Sequence, residues 1–190
     1  MSVSLMQLWL PILLGGIFCW VASALIHMLI KYHNADYKKL SNEDQVADAI
    51  RAGNTAAGLY HMPFCADMKQ MSEESMQEKF NKGPIALISV FANGMPPMGK
   101  LLAMQLLYFI IGCVLIAYVA IHSLAPAADF MTVFRLVMVV SFLGFGYALI
   151  PNSIWYGHTW SNSIRYLLDA LIYAAVTAAT FAWLWPAAIS

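Results

Sequence analysis

Residues 101–123 read LLAMQLLYFIIGCVLIAYVAIHS, an apolar stretch that contains no Lys, Arg, Asp or Glu. A helix needs about 20 such residues to cross the hydrocarbon core of a bilayer. Three further stretches are long and nearly as apolar: 8–30, 130–150 and 164–185. The sequence therefore predicts an all-α polytopic membrane protein with four transmembrane helices.

The amino-acid composition supports this fold class and excludes several others. Of 190 residues, 61% are hydrophobic and 11% are charged, whereas a soluble domain carries about 25% charged residues. Ten Lys and Arg balance ten Asp and Glu, so no basic surface for a nucleic acid is expected. The three cysteines are odd in number and far apart, which excludes a disulfide framework. The expected partners are the lipid bilayer and either other membrane subunits or further copies of this chain.

The predicted helices divide the chain into three parts. Residues 1–31 hold the first transmembrane helix, 32–99 form an extramembrane insert, and 100–190 hold transmembrane helices two to four. Helix-capping residues, apolar periodicity and β-branched runs predict a small αβ unit in the insert. Its elements are expected in the order helix, strand, helix, buried strand: 41–53, 59–64, 72–82 and 85–91.

The distribution of positive charge predicts an orientation in the membrane. Eight of the ten Lys and Arg lie in or beside the first connection, and positive residues favour the cytoplasmic side. We therefore expect both termini outside and residues 32–99 in the cytoplasm. No positive residue precedes the first apolar stretch, which favours a retained helix over a cleaved signal peptide. The absence of N-x-S/T sequons favours a bacterial inner membrane.

Several polar side chains fall at one depth of the predicted antiparallel bundle, near its cytoplasmic end: His27, Gln105, Tyr108, Tyr147, Asp169 and Tyr173. An acid inside a membrane is costly and usually faces the bundle interior with a partner. We expect His27 to be the partner of Asp169, with Arg165 as the competing partner one helical turn earlier. This intramembrane polar layer is either a proton-sensing or ion-binding site, or a polar clamp that joins helices one and four.

Arg135 lies near the opposite face of the membrane, on the predicted third helix. Its guanidinium is expected to reach the outer headgroups, or to pair with Tyr118, Thr177 or Thr180. An anionic ligand or a bound lipid headgroup is the alternative.

The predicted fourth helix carries small residues at four-residue spacing: Ala174, Ala175, Ala178, Ala179 and Ala182. Small residues at this spacing let helices approach closely. They serve either packing within one chain or an interface between subunits. Gly144-Phe145-Gly146 on the third helix is likewise interpreted as a close-packing site.

A third group of residues offers ligands for a metal ion: His33, Asp36, His61, Cys65 and Met68. Imidazole, thiolate and thioether groups are ligands of soft metals such as copper. His33 and Asp36 are three residues apart and share a face on a helix, whereas His27 and His33 are six apart and do not. Because methionine is also an ordinary packing residue, no cofactor is predicted, and a soft metal is kept as the alternative.

The sequence contains no catalytic or nucleotide-binding motif: no P-loop, GxGxxG, HExxH, GxSxG or CxxC. We therefore expect a non-catalytic interaction protein, either an accessory subunit of a larger membrane complex or a homo-oligomeric scaffold, rather than an enzyme. The first alternative is an oligomeric ion or proton channel, or a small transporter, that uses the layer of His27 and Asp169. The second is a metal-binding or redox membrane protein.

Overall fold

The computed structural model of the protein describes residues 3–187. Within that range, four helical stretches are long and apolar enough to cross a membrane: Leu5–Ile30, Met98–Ser123, Phe130–Trp155 and Trp160–Trp183. Their number confirms the prediction of four helices long and apolar enough to span a membrane, and their character indicates a membrane location. The predicted placement of both termini concerns the two ends of the chain, which lie outside the described residues.

The first stretch is not one regular helix. It begins with a 3₁₀ turn at Leu5–Leu8, continues as helix α1 (Trp9–Ala24) and ends in π-helical geometry at Leu25–Ile30. A second 3₁₀ turn, Tyr32–Asp36, follows directly. The π-helix is rare and is frequently found at functional sites, so the end of this stretch is the first place to examine for function.

Lys38–Pro96 and Trp155–Gly157 make up one of two compact units. The predicted order of helix, strand, helix and strand is present, with one additional short helix. In chain order the elements are α2 (Glu43–Ala52), β1 (Gly58–Met62), α3 (Met68–Met71), α4 (Glu74–Lys82) and β2 (Ala86–Val90).

The two strands of this unit form an antiparallel sheet in which Gly58 lies opposite Val90 and Met62 opposite Ala86. The prediction of a buried second strand is wrong. Residues of β2 alternate between half-buried and exposed, and those of β1 are exposed throughout. A sheet of two strands, with only alternate β2 side chains covered, does not bury an apolar run on both faces.

The remaining described residues form the helical unit, which includes residues 32–37. After α1 it contains α5 (Met98–Ser123), α6 (Phe130–Phe145), α7 (Pro151–Trp155) except its last residue, and α8 (Trp160–Trp183). Helix α8 begins four residues before the predicted segment, where the Thr159 side chain accepts a hydrogen bond from the Asn162 amide. A capping threonine of this kind satisfies a backbone donor that the helix leaves free.

Helices α1, α5, α6 and α8 pack into a bundle, with α6 against α8 and α1 against both α5 and α8. Helix α6 ends at Phe145, and a Cβ atom added to Gly146 would overlap the Cβ of Ala170 on α8. The predicted close packing is therefore present at Gly146. It is absent at Gly144, where an added Cβ would meet nothing within 4 Å.

The small residues of α8 face mainly inward. Ala174 and Ala178 have no exposed surface and Ala182 is buried, whereas Ala175 is half-buried and Ala179 is exposed. Packing within one chain thus accounts for three of the five predicted alanines.

Candidate functional site

The site begins with the irregular backbone that follows α1. The Lys31 amide donates to the Ile26 carbonyl at 2.8 Å, which closes the π-helical turn. Lys31 itself has a φ of 57°, a left-handed conformation that is uncommon for residues other than glycine. The chain therefore leaves the helix direction at Lys31, and the following 3₁₀ turn carries Tyr32 and His33 towards α8.

Asp169 is the centre of the site. It is 2% exposed on the inner face of α8. One carboxylate oxygen, Oδ2, lies 2.9 Å from His33 Nε2, and the other accepts a hydrogen bond from the Tyr32 hydroxyl. A buried carboxylate is costly unless charged or polar partners satisfy it, and both of these partners come from the turn after α1.

His33 links Asp169 to a second buried carboxylate. Its Nδ1 lies 2.6 Å from Asp36 Oδ2, and the other oxygen of Asp36 accepts from the Arg165 guanidinium. Burial by itself would raise the pKa of Asp36. The hydrogen bonds from His33 and Arg165, with their positive charge, outweigh burial and hold the Asp36 pKa below its ordinary value. Arg165, Asp36, His33 and Asp169 thus form one continuous chain of charged and hydrogen-bonded groups.

His27 completes the cluster from the π-helical segment. Its ring stacks on that of His33, with centroids 4.8 Å apart and planes 5° from parallel. Nδ1 of His27 donates to the Ser23 carbonyl at 3.0 Å, and Nε2 lies 3.9 Å from Asp169 Oδ2. Because a carbonyl only accepts, the proton sits on Nδ1 and the lone pair of a neutral ring sits on Nε2. We call His27, Tyr32, His33, Asp36, Arg165 and Asp169 the interfacial cluster.

A cavity of about 490 Å³ opens beside the interfacial cluster. Its walls are largely apolar and include Leu102, Phe109 and Phe145. Five of the six residues of the predicted polar layer line it: His27, Gln105, Tyr108, Asp169 and Tyr173. Tyr147, the sixth, is 59% exposed and lies outside this lining. Most of the predicted layer therefore lines one cavity.

The structure places His27 beside Asp169, as predicted, at 3.9 Å, and adds two closer partners. His33 and Tyr32 contact its carboxylate, His27 lies farther away, and Arg165 is paired with Asp36 instead. The expectation that His27 and His33 lie on different faces of a helix is wrong, because their rings stack on each other. It assumed a helix through both residues, whereas the backbone changes from π to 3₁₀ geometry at Lys31.

The predicted metal ligands separate into two places. His33 and Asp36 belong to the interfacial cluster, but His61, Cys65 and Met68 lie on the other compact unit. There His61 Nδ1 donates to the Pro63 carbonyl, and the Cys65 thiol to the Asp67 carbonyl. Among the described residues, one group of three potential metal-binding side chains brings its ligand atoms together. These are His27, His33 and Asp169, whose ligand atoms all lie within 4.8 Å of one another.

Arg135 lies exposed on α6, and within residues 3–187 it makes no ion pair. Two of its predicted partners, Thr177 and Thr180, donate their hydroxyls to carbonyls of their own helix. An exposed arginine near the end of an apolar helix is the arrangement expected when the guanidinium reaches towards lipid headgroups.

Sequence reasoning missed Tyr32 as a site residue and considered Arg165 only as a competing partner of Asp169, not as the partner of Asp36. The available signal was the density of polar groups directly after the first apolar stretch, where Tyr32, His33 and Asp36 fall within five residues. Comparison with protein-family models, with curated proteins and with solved structures finds no match to this chain. The site is therefore interpreted from its own geometry.

Proposed function

We propose that the protein is an integral membrane protein that binds a small amphipathic molecule in the cavity beside the interfacial cluster. The observation that carries this proposal is the composition of the cavity lining, which is largely apolar but includes several polar and ionisable side chains. Small-molecule sites are concave, mostly apolar and equipped with a few convergent polar groups. The polar groups in this lining include His27, Gln105 and Asp169.

A purely structural clamp between helices would need fewer polar groups around Asp169 than the structure contains. Asp169 is already satisfied by Tyr32 and His33, which join the turn after α1 to α8. His27 adds a third polar group whose side chain remains 44% exposed and lines the cavity. Ionisable groups inside membrane segments usually mark a functional site, which favours ligand binding over a clamp alone.

The molecule enters this site from the lipid phase in our proposal. Met28, Met98 and Leu101 line the cavity and are 62%, 60% and 46% exposed. Exposed apolar side chains on apolar helices are the surface that lipid tails contact. A ligand with an apolar body and a polar head would therefore place its head against Asp169 and its body along Leu102 and Phe109.

We further propose the inner membrane of a bacterium, with the insert and the interfacial cluster on the cytoplasmic side and both termini outside. The positive charges around the insert support this orientation. Free cysteines at positions 19, 65 and 113 and the absence of glycosylation sequons are compatible with it.

A channel or transporter built from one chain has less support. In the interior of the bundle, Cys19, Cys113 and Phe181 have no exposed surface, which favours a packed interior over an open passage in a single chain. Conduction along the His27 and Asp169 layer would therefore need several chains. A liposome flux assay tests this alternative.

A second candidate function is that of an accessory subunit or homo-oligomeric scaffold. Ala179 favours it, because this small residue is exposed on α8 beside Val176 and Trp183 in an apolar groove. Small exposed residues permit close helix contacts between subunits. Co-purifying subunits, or multiples of the 21.1 kDa chain, in native mass spectrometry would support this candidate.

The proposed ligand is tested by organic extraction of gently purified protein, followed by mass spectrometry of the extract. Leu102→Trp places a large side chain in the cavity and is expected to remove the bound molecule. Leu115→Trp is the matched control, because Leu115 lies on the same helix, is 63% exposed and does not line the cavity. An extract without a stoichiometric small molecule, or one unchanged by Leu102→Trp, would contradict the proposal.

A further inference from the structure

Three potential metal ligands of the helical unit already lie close together. His33 Nε2 is 2.9 Å and His27 Nε2 is 3.9 Å from the same oxygen, Oδ2 of Asp169. In a tetrahedral site with metal–nitrogen bonds of about 2.0–2.1 Å, neighbouring ligand atoms are about 3.3 Å apart. All three ligand atoms lie within 4.8 Å of one another, so closures of up to about 1.5 Å between them would place them around one ion.

The hydrogen bonds of both histidines leave Nε2 as the atom that faces the carboxylate. His27 uses Nδ1 to donate to the Ser23 carbonyl, and His33 uses Nδ1 to contact Asp36. Histidines that bind a metal usually donate their second N–H to a carbonyl or carboxylate, which fixes the tautomer and the ring orientation. Both outer contacts typical of metal-binding histidines are thus present.

The charges around His33 also favour a cation. Two buried carboxylates, Asp36 and Asp169, flank this ring, and the guanidinium of Arg165 neutralises only the first of them. A divalent ion bound at Nε2 of His33 would take the place of the proton between His33 and Asp169. It would supply the positive charge that a buried carboxylate requires.

We propose that His27, His33 and Asp169 bind a divalent first-row transition metal ion such as zinc. Two imidazoles and one carboxylate are ligands suited to such ions, whereas copper(I) prefers sulfur. His27 and Asp169 both line the cavity, so a fourth coordination position faces this space. The inference goes beyond the proposed function, because the ion binds whether or not a molecule occupies the cavity.

Metal binding is expected to change the position of one ring more than the others. The rings of His27 and His33 lie in nearly parallel planes, so one ring must tilt for both Nε2 atoms to reach one ion. His27 is the ring with room to do so, because its side chain is 44% exposed and that of His33 only 8%.

The test is zinc binding to the full chain in mild detergent. The protein is stripped with a chelator and equilibrated with zinc chloride, and bound zinc per chain is counted by elemental mass spectrometry. We expect one zinc ion per chain. His27→Ala is expected to weaken zinc binding more than about tenfold, and Asp36→Asn, which acts through His33, by about 10- to 100-fold.

His122→Ala is the matched control. His122 is also an exposed histidine near a helix end whose Nδ1 donates to the carbonyl four residues earlier, that of Tyr118. It is expected to leave zinc affinity unchanged. Leu102→Trp, which fills the cavity, is expected to keep the zinc while it removes the organic ligand. A failure of the metal site can therefore be distinguished from a failure of the proposed small-molecule site. Absence of zinc from the folded wild-type chain, or equal affinities for His27→Ala and His122→Ala, would overturn the metal site.

Discussion

The two ends of the helical bundle are built in different ways from the same four helices. Around Gly15 the helices touch through small groups, and a Cβ added there would lie 3.2 Å from Cys113 Sγ. Nearby, the Cys19 thiol lies 3.1 Å from the Thr177 hydroxyl, and both residues have no exposed surface. At the other end, Asp169 and His33 are buried beside an open cavity.

This difference distinguishes the small, uncharged residues that pack the bundle from the charged residues of the interfacial cluster. The closed end holds its helices together with small and uncharged residues, so charged groups are not needed to assemble the bundle. Buried ion pairs contribute little net stability compared with apolar packing. The interfacial cluster is therefore better explained by binding than by the stability of the bundle, although removal of one partner is still costly.

The largest expected effect comes from removing Asp36. Asp36→Ala leaves His33 and Arg165 without their shared carboxylate, and breaking a buried pair costs about 3–5 kcal/mol. Because the Arg165 side chain is 25% exposed, we expect the lower end, about 3 kcal/mol, in the free energy of unfolding measured in detergent. A loss below about 1 kcal/mol would mean that the cluster is not coupled to the packing of the bundle.

The closed end is tested by Gly16→Ala. An added Cβ would lie 2.7 Å from Ile110 Cγ1 and 3.1 Å from the Ile110 backbone, so α1 and α5 would have to separate. We expect a destabilisation of about 1–3 kcal/mol. The control is Gly144→Ala, where an added Cβ meets nothing and alanine is the better helix former by about 1 kcal/mol. Equal effects of the two substitutions would show that the closed end is not tightly packed.

A smaller effect is expected from acid. The pKa of Asp36 is lowered in the folded protein, so the unfolded chain binds its proton more readily. Its stabilising contribution is therefore complete above the ordinary aspartate pKa of about 3.9 and is lost as the pH falls through the lower, folded-state value. Melting temperatures of wild type and Asp36→Asn are expected to differ at pH 6 and to converge in strong acid. A constant difference at all pH values would contradict this assignment.

The smallest effect is expected at the exposed ion pair on α2. Asp48 and Arg51 pair across one helical turn, and their side chains are 73% and 68% exposed. Exposed pairs contribute less than about 1 kcal/mol, so Asp48→Ala should barely change the unfolding of the protein. If its effect matched that of Asp36→Ala, burial would not be what distinguishes the two aspartates.

The sequence was sufficient to predict features that depend on local pattern. Apolar length located the four candidate spanning helices, and the cost of an acid among them identified Asp169 before any contact was known. Capping residues and turns placed α2, α4 and the two strands of the insert. The close approach at Gly146 followed from the small side chains around Phe145.

The contacts of Asp169 could not be predicted in the same way. They depend on the change from π to 3₁₀ geometry at Lys31, and no glycine or proline marks that change. The turn is held by tertiary contacts instead, in which His33 and Asp36 bond to Asp169 and Arg165 of α8. Such contacts are invisible to a periodicity argument, because the residues are more than 125 positions apart in the chain.

The most direct test of a binding site beside Asp169 is a native mass spectrum of the gently extracted wild-type protein. We predict a reproducible mass above 21.1 kDa per chain, which resolves into an organic molecule that Leu102→Trp removes and a metal ion whose occupancy His27→Ala lowers. Bare multiples of the chain mass in all three proteins would contradict the account, and would leave the interfacial cluster as a structural link between the turn after α1 and α8.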